Sequence, residues 1–163
     1  MKNDKINTLM AFDFDGVLCD SLHRYKLDET GQNIDLAHWR RNSTPAMIAK
    51  DSPIPEQIAI YNKALADENT VVIITTARVF CPASLAWLEK HTDGQPDYIN
   101  SRQGETDTRR GHELKGAFVA AFRQTFKALK TVLYYEDNLS YIKGFKLANP
   151  DALIFYVKSE QGH

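Results

Sequence analysis

The chain has 163 residues, a hydrophobic fraction of 43%, a charged fraction of 25% and a formal net charge of −1. This length predicts one domain, residues 1–163, with enough apolar side chains to form a buried core. The near-neutral charge excludes a protein that binds nucleic acid or membranes through its whole surface, so any contact with a polyanion must be local.

The cysteine content and the apolar runs bear on where the protein works. Two cysteines in a chain of this size do not make a disulfide framework, which favours a reducing compartment. The N-terminal segment MKNDKINTLM lacks the apolar stretch of a signal peptide, and no apolar run is long enough to span a bilayer. We therefore expect a cytoplasmic protein with no membrane partner, and nothing in the sequence indicates an obligate protein partner.

The predicted elements alternate between strands and helices. Short apolar or β-branched runs predict strands at 8–13, 71–76, 98–100, 131–136 and 152–157. Helical spacing predicts helices at 54–66, 83–91, 112–129 and 139–148, and Ser52 with Pro53 indicates the start of the first. This alternation predicts an α/β fold of three layers, Rossmann-like, with a central and mostly parallel sheet.

Residues 20–53 interrupt the alternation. They are polar and show no clean period, so we interpret them as a loop or small helical insert above the sheet. Residues 16–75 must also supply a helix and a strand, and 77–114 are short too, so only a small cap over the strand ends fits.

Charged and hydroxyl side chains follow the predicted strands at the sheet edge where ligands of such folds bind. They are Asp13 and Asp15 after the first strand, Thr75, Thr76 and Arg78 after the second, and Glu136 and Asp137 after the fourth, with Lys115 in the preceding helix. Each alone has an ordinary explanation, because Asp often caps turns and Thr is a good strand former. Their placement at one edge favours a functional site.

The chemistry of this set indicates phosphate. Carboxylates without nitrogen or sulfur ligands suit a hard cation, above all Mg²⁺, which usually shares its coordination shell with a substrate phosphate. Cationic and hydroxyl side chains can donate to the remaining phosphate oxygens. A carboxylate can also attack phosphorus and form an aspartyl-phosphate, while a neighbouring carboxyl group moves the proton.

Four stretches resemble motifs I to IV of the haloacid dehalogenase (HAD) superfamily of phosphotransferases. They are DFDGV at 13–17, IITTAR at 73–78, Lys115, and YEDN at 135–138, in an order and spacing that cover nearly the whole chain. The resemblance implies a HAD fold, Mg²⁺ as cofactor and an aspartyl-phosphate mechanism. Because the insert is short, it also implies a minimal cap at about 20–53.

The resemblance also implies roles for single residues. Asp13 is the expected nucleophile and a metal ligand, and Asp15 is the expected general acid and base, which meets the metal through its backbone carbonyl. Asp137 is expected to hold Mg²⁺, with Glu136 as a direct or indirect partner. Lys115 would offset the charge of Asp13 and of the phosphate.

A narrower resemblance concerns the substrate. The chain is similar to the phosphatase domain of phage polynucleotide kinase/3′-phosphatases. Arg24 and Arg78 of this chain fall where that family has arginines that bind substrate. Two departures are visible: Gly111 stands where that family often has an aspartate, and Asn138 stands where it tends to have an arginine. The full set of expected substrate-binding residues is Thr76, or else Thr75, with Arg78, Arg24, Gly16 and Arg109.

These patterns lead to an expectation and two alternatives. We expect a Mg²⁺-dependent phosphomonoester hydrolase that removes 3′-phosphates from polynucleotide ends, acting on a phosphorylated nucleic-acid end or a nucleotide. The first alternative is a 5′- or 3′-mononucleotidase or another small-molecule HAD phosphatase. The second is a non-catalytic sensor of a phosphorylated ligand, against which the paired Asp13 and Asp15 argue.

Overall fold

The structure, a computed structural model, describes residues 5–161. Residues 1–4 belong to the N-terminal segment without a signal-peptide pattern, and 162–163 end the predicted domain; both lie outside the described residues. Within the described part, no helix combines the length and apolar character needed to cross a membrane.

A five-stranded parallel sheet forms the centre of the molecule. In chain order its strands are β1 (Thr8–Phe12), β4 (Thr70–Val79), β5 (Tyr98–Arg102), β6 (Thr131–Glu136) and β7 (Leu153–Tyr156). Their spatial order is β5-β4-β1-β6-β7, with every pairing parallel. Both neighbours of β1 are parallel to it, so their carboxyl ends bring polar residues beside those that follow β1. The predicted α/β fold with a mostly parallel sheet is confirmed.

Helices cover both faces of this sheet. The helices α3 (Pro55–Ala66), α4 (Pro82–His91), α5 (Gly111–Thr125) and α6 (Leu139–Ala148) connect successive strands. The predicted start of α3 at Ser52 and Pro53 is wrong. Ile54 caps the helix and Pro55 occupies its first turn, where its fixed φ angle and missing N–H are tolerated.

Side chains alternate between two cores, as strand geometry requires. Leu9 and Ala11 of β1 pack with Val119 of α5 in one core, whereas Phe12 packs with Tyr61 of α3 in the other. The alternation therefore decides which polar residues beyond the strand ends face α5, and which face the opposite layer.

The segment between β1 and α3 contains short elements only. A two-stranded antiparallel ribbon, β2 (Cys19–Asp20) with β3 (Ser52–Pro53), brackets α1 (Leu36–Arg41) and α2 (Pro45–Ile48). The sequence pattern predicted a loop or helical insert here and did not reveal the ribbon, because two-residue strands are too short to show a period. The ribbon thus pairs the two ends of the insert with each other.

Candidate active site

Asp13, Lys115 and Glu136 meet at the carboxyl edge of the central strands. Asp13 directly follows β1 and continues its ladder, since its N–H donates to the Tyr135 carbonyl over 2.9 Å. The Lys115 ammonium lies 3.1 Å from Asp13 Oδ1 and 2.6 Å from Glu136 Oε2. All three side chains are buried or nearly so. Strand alternation and the first turns of α5 therefore bring nucleophile and cation candidates into direct contact.

Glu136 is held through both of its carboxylate oxygens. Oε2 accepts from Lys115 and from the Tyr134 hydroxyl, and Oε1 accepts from the backbone N–H groups of Asp137 and Asn138, each over 3.1 Å. With its acceptors engaged inside the protein, Glu136 is better suited to hold Lys115 than to bind an ion directly.

Asp137 stands beside Gly16, which has a positive φ of 79°. A Cβ at Gly16 would overlap the Asp137 carboxylate, so the position requires glycine for space as well as for backbone conformation. Ser159, after β7, donates to Asp137 Oδ2 over 2.6 Å. Gly16 therefore lines the site through its backbone.

We call Asp13, Lys115, Glu136 and Asp137 the Asp13 cluster. Ligand oxygens of its three carboxylates lie within 4.8 Å of one another. Three carboxylates against one ammonium leave two negative charges when all groups are ionised. Hard oxygen donors with this excess charge fit Mg²⁺, and because Glu136 is engaged elsewhere, Asp13 and Asp137 are the residues best placed to hold it.

The pKa shifts agree with this charge excess. Burial, and next the charge of Glu136, raise the pKa of Asp13 well above its ordinary value. Burial and the charge of Asp13 raise the pKa of Asp137 to about 6. For Lys115, burial lowers the pKa, but the charges of Asp13 and Glu136 outweigh this and the pKa is raised. A bound divalent cation would stabilise the ionised carboxylates.

Asp15 takes part in a second group of charges on the insert side. Arg78 Nη1 donates to its two oxygens over 2.9 and 3.2 Å, and Ser21 Oγ donates to Oδ1 over 2.9 Å. Arg24 lies 3.6 Å away and forms a buried two-bond ion pair with Asp51, over 2.9 and 2.7 Å. We call Asp15, Arg24, Asp51 and Arg78 the Asp15 cluster.

Arg24 was expected to bind substrate, and the structure places it elsewhere. Its side chain is fully buried, with Asp51 and the Ser43 hydroxyl as hydrogen-bond partners and the Trp39 ring 4.3 Å from its guanidinium carbon. These contacts join three parts of the insert, so in this conformation Arg24 holds the insert together. Arg24 thus lies beside Asp15 at the sheet edge, but its side chain is buried and engaged with groups of the insert.

Thr75 and Thr76 are consecutive in β4, so their side chains lie on opposite faces of the sheet. Thr75 Oγ1 accepts from the Asn100 amide over 2.8 Å, and the same amide donates to the Leu114 carbonyl at the start of α5. Thr76 Oγ1 accepts from the Arg78 N–H over 3.4 Å. Thr75 thus shares the α5 face with Asp13, and among the described contacts neither hydroxyl reaches Asp13.

Arg109 lies in the loop before α5. Its guanidinium is half-exposed and binds Asp107 through two hydrogen bonds, over 2.9 and 2.6 Å. Arg102 of β5 donates to the carbonyls of Asp107 and Arg109 and so orders the same loop. Among the described contacts, none joins Arg109 to the Asp13 cluster.

Tyr141 of α6 is a site residue that the sequence patterns did not reveal. Its ring centroid lies 4.4 Å from the Lys115 ammonium, a cation–π arrangement. A Cβ at Gly111 would come within 2.7 Å of this ring, so the glycine that departs from the related pattern makes room for Tyr141. The sequence signal for Tyr141 is a glycine in α5 together with an aromatic residue in α6. This signal can be recognised only once it is known that the two helices pack together.

Comparison with solved structures identifies the fold. The structure in the Pnkp1/Rnl/Hen1 complex matches with a TM-score of 0.66 and 14% identity, over 94% of this chain and 46% of that chain. The N-terminal part of BF1531 from Bacteroides fragilis, described as containing a phosphatase domain complexed with Mg, matches with a TM-score of 0.51 and 10% identity, over 93% of this chain and 36% of that chain. The HAD domain of the effector Lem4 from Legionella pneumophila matches with a TM-score of 0.51 and 12% identity, over 96% of this chain and 89% of that domain. The chain thus spans less than half the length of the first two.

The chain has the fold of HAD and phosphatase domains, and the Asp13 cluster lies at the carboxyl edge of its sheet. The predicted HAD resemblance is confirmed. A comparison with curated protein sequences gives no significant match.

A family model narrows the assignment. Residues 1–103 match the family described as bacteriophage T5 5′-deoxynucleotidase, and because this is more than half of the chain, the chain belongs to that family. The matched part contains the Asp15 cluster and Asp13, and it ends before Lys115, Glu136 and Asp137.

Proposed function

We propose that the chain is a Mg²⁺-dependent nucleotide phosphatase whose leading substrates are deoxynucleoside 5′-monophosphates. The reaction is carried by one observation: a buried aspartate in contact with a lysine, in a cluster whose three carboxylates exceed its one ammonium by two negative charges. The substrate class is supported by the family match over residues 1–103. This match favours a 5′-mononucleotidase over a polynucleotide 3′-phosphatase.

Asp13 is the proposed nucleophile. One of its oxygens is held 3.1 Å from the Lys115 ammonium, which orients the carboxylate and offsets the charge that a phosphoryl group adds. The free oxygen would attack phosphorus as the bond to the nucleoside oxygen breaks, giving an aspartyl-phosphate. Asp13 and Asp137 would hold Mg²⁺, which when bound supplies charge neutralisation for the phosphoryl oxygens.

Asp15 is the proposed general acid and base. In the structure its charge is stabilised by Arg78, with a short pair distance of 2.9 Å. We propose that a substrate phosphate competes for the donors of Arg78, so that Asp15 loses part of this stabilisation and can carry a proton to the leaving oxygen. The hydroxyl of Thr76, which adjoins Arg78, is the proposed further donor to the phosphate.

A second candidate is the polynucleotide 3′-phosphatase. The fold similarity to Pnkp1 and the small insert, which contains only short elements, support it. The burial of Arg24 weakens it, because this arginine was one of the two that linked the chain to substrate binding in the 3′-phosphatases.

The test is phosphate release with Mg²⁺ from deoxynucleoside 5′-monophosphates, their ribose counterparts, 3′-mononucleotides, and one oligonucleotide phosphorylated at either its 3′ or its 5′ end. The Asp13→Asn protein is the matched control. We expect the highest kcat/KM with a deoxynucleoside 5′-monophosphate and only background release by the control. A preference for the 3′-phosphorylated end would select the second candidate. Release at the control level from every substrate would contradict both and leave the sensor alternative.

A further inference from the structure

We propose that residues 158–161, which follow β7, are a positioning element of the active site: Ser159 fixes the Asp137 carboxylate, and Gln161 fixes Asp15 through Ser21. The inference rests on the proposed function, which gives Asp137 and Asp15 their roles. No sequence motif points to this segment, since it lies beyond the last strand and after the last recognisable motif.

Ser159 acts on Asp137. Its hydroxyl donates to Asp137 Oδ2 over 2.6 Å, so one carboxylate oxygen is held while the other remains available to a cation. Hydrogen bonds of this kind orient metal-binding carboxylates, and their loss typically lowers metal affinity by about 10- to 100-fold. The distance and the burial of Asp137 meet the requirements for such a bond.

Gln161 acts on Asp15 through Ser21. Its amide binds Ser21 at both ends, because Oε1 accepts from the Ser21 N–H over 3.2 Å and Nε2 donates to Ser21 Oγ over 2.7 Å. Since Ser21 Oγ accepts from the amide, its own hydrogen is directed to Asp15 Oδ1, 2.9 Å away. The chain of donors thus holds the Asp15 carboxylate in one orientation, with Oδ1 as the acceptor.

Ser159 and Gln161 are also joined to each other by a hydrogen bond within residues 158–161. The N–H of Gln161 donates to Ser159 Oγ over 3.0 Å, which fixes the direction of the Ser159 hydroxyl hydrogen toward Asp137. Residue 16 lies beneath: a Cβ there would be 2.9 Å from Ser159 Oγ, so Gly16 also lets the segment approach the loop after β1. One short turn therefore ties the metal-binding carboxylate to the proton-transfer carboxylate.

The first test measures Mg²⁺ binding without substrate, by isothermal titration calorimetry on the full chain. We expect Ser159→Ala to raise the Mg²⁺ dissociation constant by about 10-fold or more, and Ser159→Thr, which keeps the hydroxyl, to restore most of the affinity. Gln95→Ala removes a glutamine side chain that binds the Leu85 carbonyl on α4, and is the matched control with unchanged affinity. An unchanged dissociation constant in Ser159→Ala would overturn the role of Ser159.

The second test separates kcat from KM. Gln161→Glu keeps the size of the side chain but places an acceptor where Ser21 needs a donor, so we expect kcat to fall by about 10-fold with a nearly unchanged KM. An equal kcat in Gln161→Glu and wild type would overturn the role of Gln161. A higher kcat in the Ser159→Ala/Gln161→Ala protein would also overturn the proposal, because the segment would then obstruct the site.

These tests are independent of the substrate assignment. If the wild type binds Mg²⁺ but releases phosphate from none of the nucleotides, the proposed function fails, while the calorimetry still decides whether Ser159 positions Asp137. The kinetic arm is read only with a substrate that the wild type hydrolyses and Asp13→Asn does not.

Discussion

The two charge clusters at the sheet edge are built from similar groups but have different charge balances. The Asp13 cluster has three carboxylates and one ammonium, with nearly every member buried. The Asp15 cluster has two carboxylates, Asp15 and Asp51, and two guanidinium groups, so its charges are equal in number. The first therefore has an excess of negative charge, when its groups are ionised, that a cation would offset, whereas the charges of the second already balance.

This difference in charge balance favours a chemical role for the Asp13 cluster and a structural role, holding segments of the chain together, for most of the Asp15 cluster. Buried carboxylates that repel one another raise free energy unless a ligand compensates them, so an excess of charge at an edge is typical of a binding site. Paired charges with satisfied hydrogen bonds instead hold segments together. Asp15 lies at the boundary, because its partner Arg78 is the charge that a phosphate could take over.

The largest expected effect is on catalysis by the Asp13 cluster. Asp13→Asn removes the nucleophile, so we expect kcat to fall by roughly 10³-fold or more. Because the change also lowers the negative charge of the cluster, the melting temperature without Mg²⁺ should not fall. Phosphate release measures kcat, and thermal unfolding measures the melting temperature. Near wild-type turnover in Asp13→Asn would place the chemistry elsewhere.

The next largest effects are expected from replacing the two buried cationic side chains, Arg24 and Lys115. Arg24→Met leaves Asp51 buried without its guanidinium partner, so we expect a loss of about 3–5 kcal/mol in the free energy of unfolding, while the folded protein keeps most of its kcat. Lys115→Met should lower kcat by about 10²- to 10³-fold, because it removes the charge beside the nucleophile. Urea unfolding and steady-state kinetics check both variants. If Arg24→Met loses kcat as Lys115→Met does, the comparison of the clusters is wrong.

Arg24 also shows why part of the site was predictable and part was not. The motifs at the carboxyl ends of β1, β4 and β6 converge because a parallel sheet brings these ends to one edge, and this follows from the sequence pattern alone. Whether Arg24 faces a ligand or an internal carboxylate depends on Asp51, a partner 27 residues away within an insert of irregular structure. The spacing of residues in the sequence does not indicate which of these two partners Arg24 has.

Two further contacts were beyond prediction for the same reason. Tyr141 reaches Lys115 only because α5 and α6 pack closely at Gly111, and Ser159 reaches Asp137 only because the chain turns back after β7. Both depend on how elements pack in three dimensions, which periodicity within one element does not report.

Mg²⁺ should stabilise the protein through the Asp13 cluster alone. At a Mg²⁺ concentration about 100-fold above the dissociation constant, linkage predicts about 2.7 kcal/mol, or roughly 5–10 °C in melting temperature for a domain of this size. Chelation by EDTA should reverse the shift. Asp137→Asn should lose most of it and Arg24→Met should keep it, as measured by thermal unfolding. A shift that survives in Asp137→Asn would place the metal outside this cluster.

The smallest effect concerns the two thiols. Burial raises the pKa of Cys19, which lies 3.7 Å from Asp15. Burial also acts upward on the pKa of Cys81, but hydrogen bonds from Ser84 and the first backbone N–H groups of α4 outweigh it and lower the pKa. Since the thiolate is the reactive form, alkylation of Cys81 should be about 10-fold faster than that of Cys19 at pH 7.5, and its rate should rise with pH.

Peptide mass spectrometry after a short treatment with iodoacetamide distinguishes the two cysteines. Faster labelling of Cys19 would contradict the burial of this thiol beside Asp15.

The most direct test of the central claim is to trap the phosphorylated enzyme. The wild-type protein is mixed with Mg²⁺ and the best substrate, quenched in acid within the first turnover and digested for mass spectrometry. We predict a phosphoryl group on the peptide that contains Asp13, removable by hydroxylamine and absent from Asp13→Asn. Steady turnover without this adduct, or an adduct on a different residue, would contradict the assignment of Asp13 as the nucleophile.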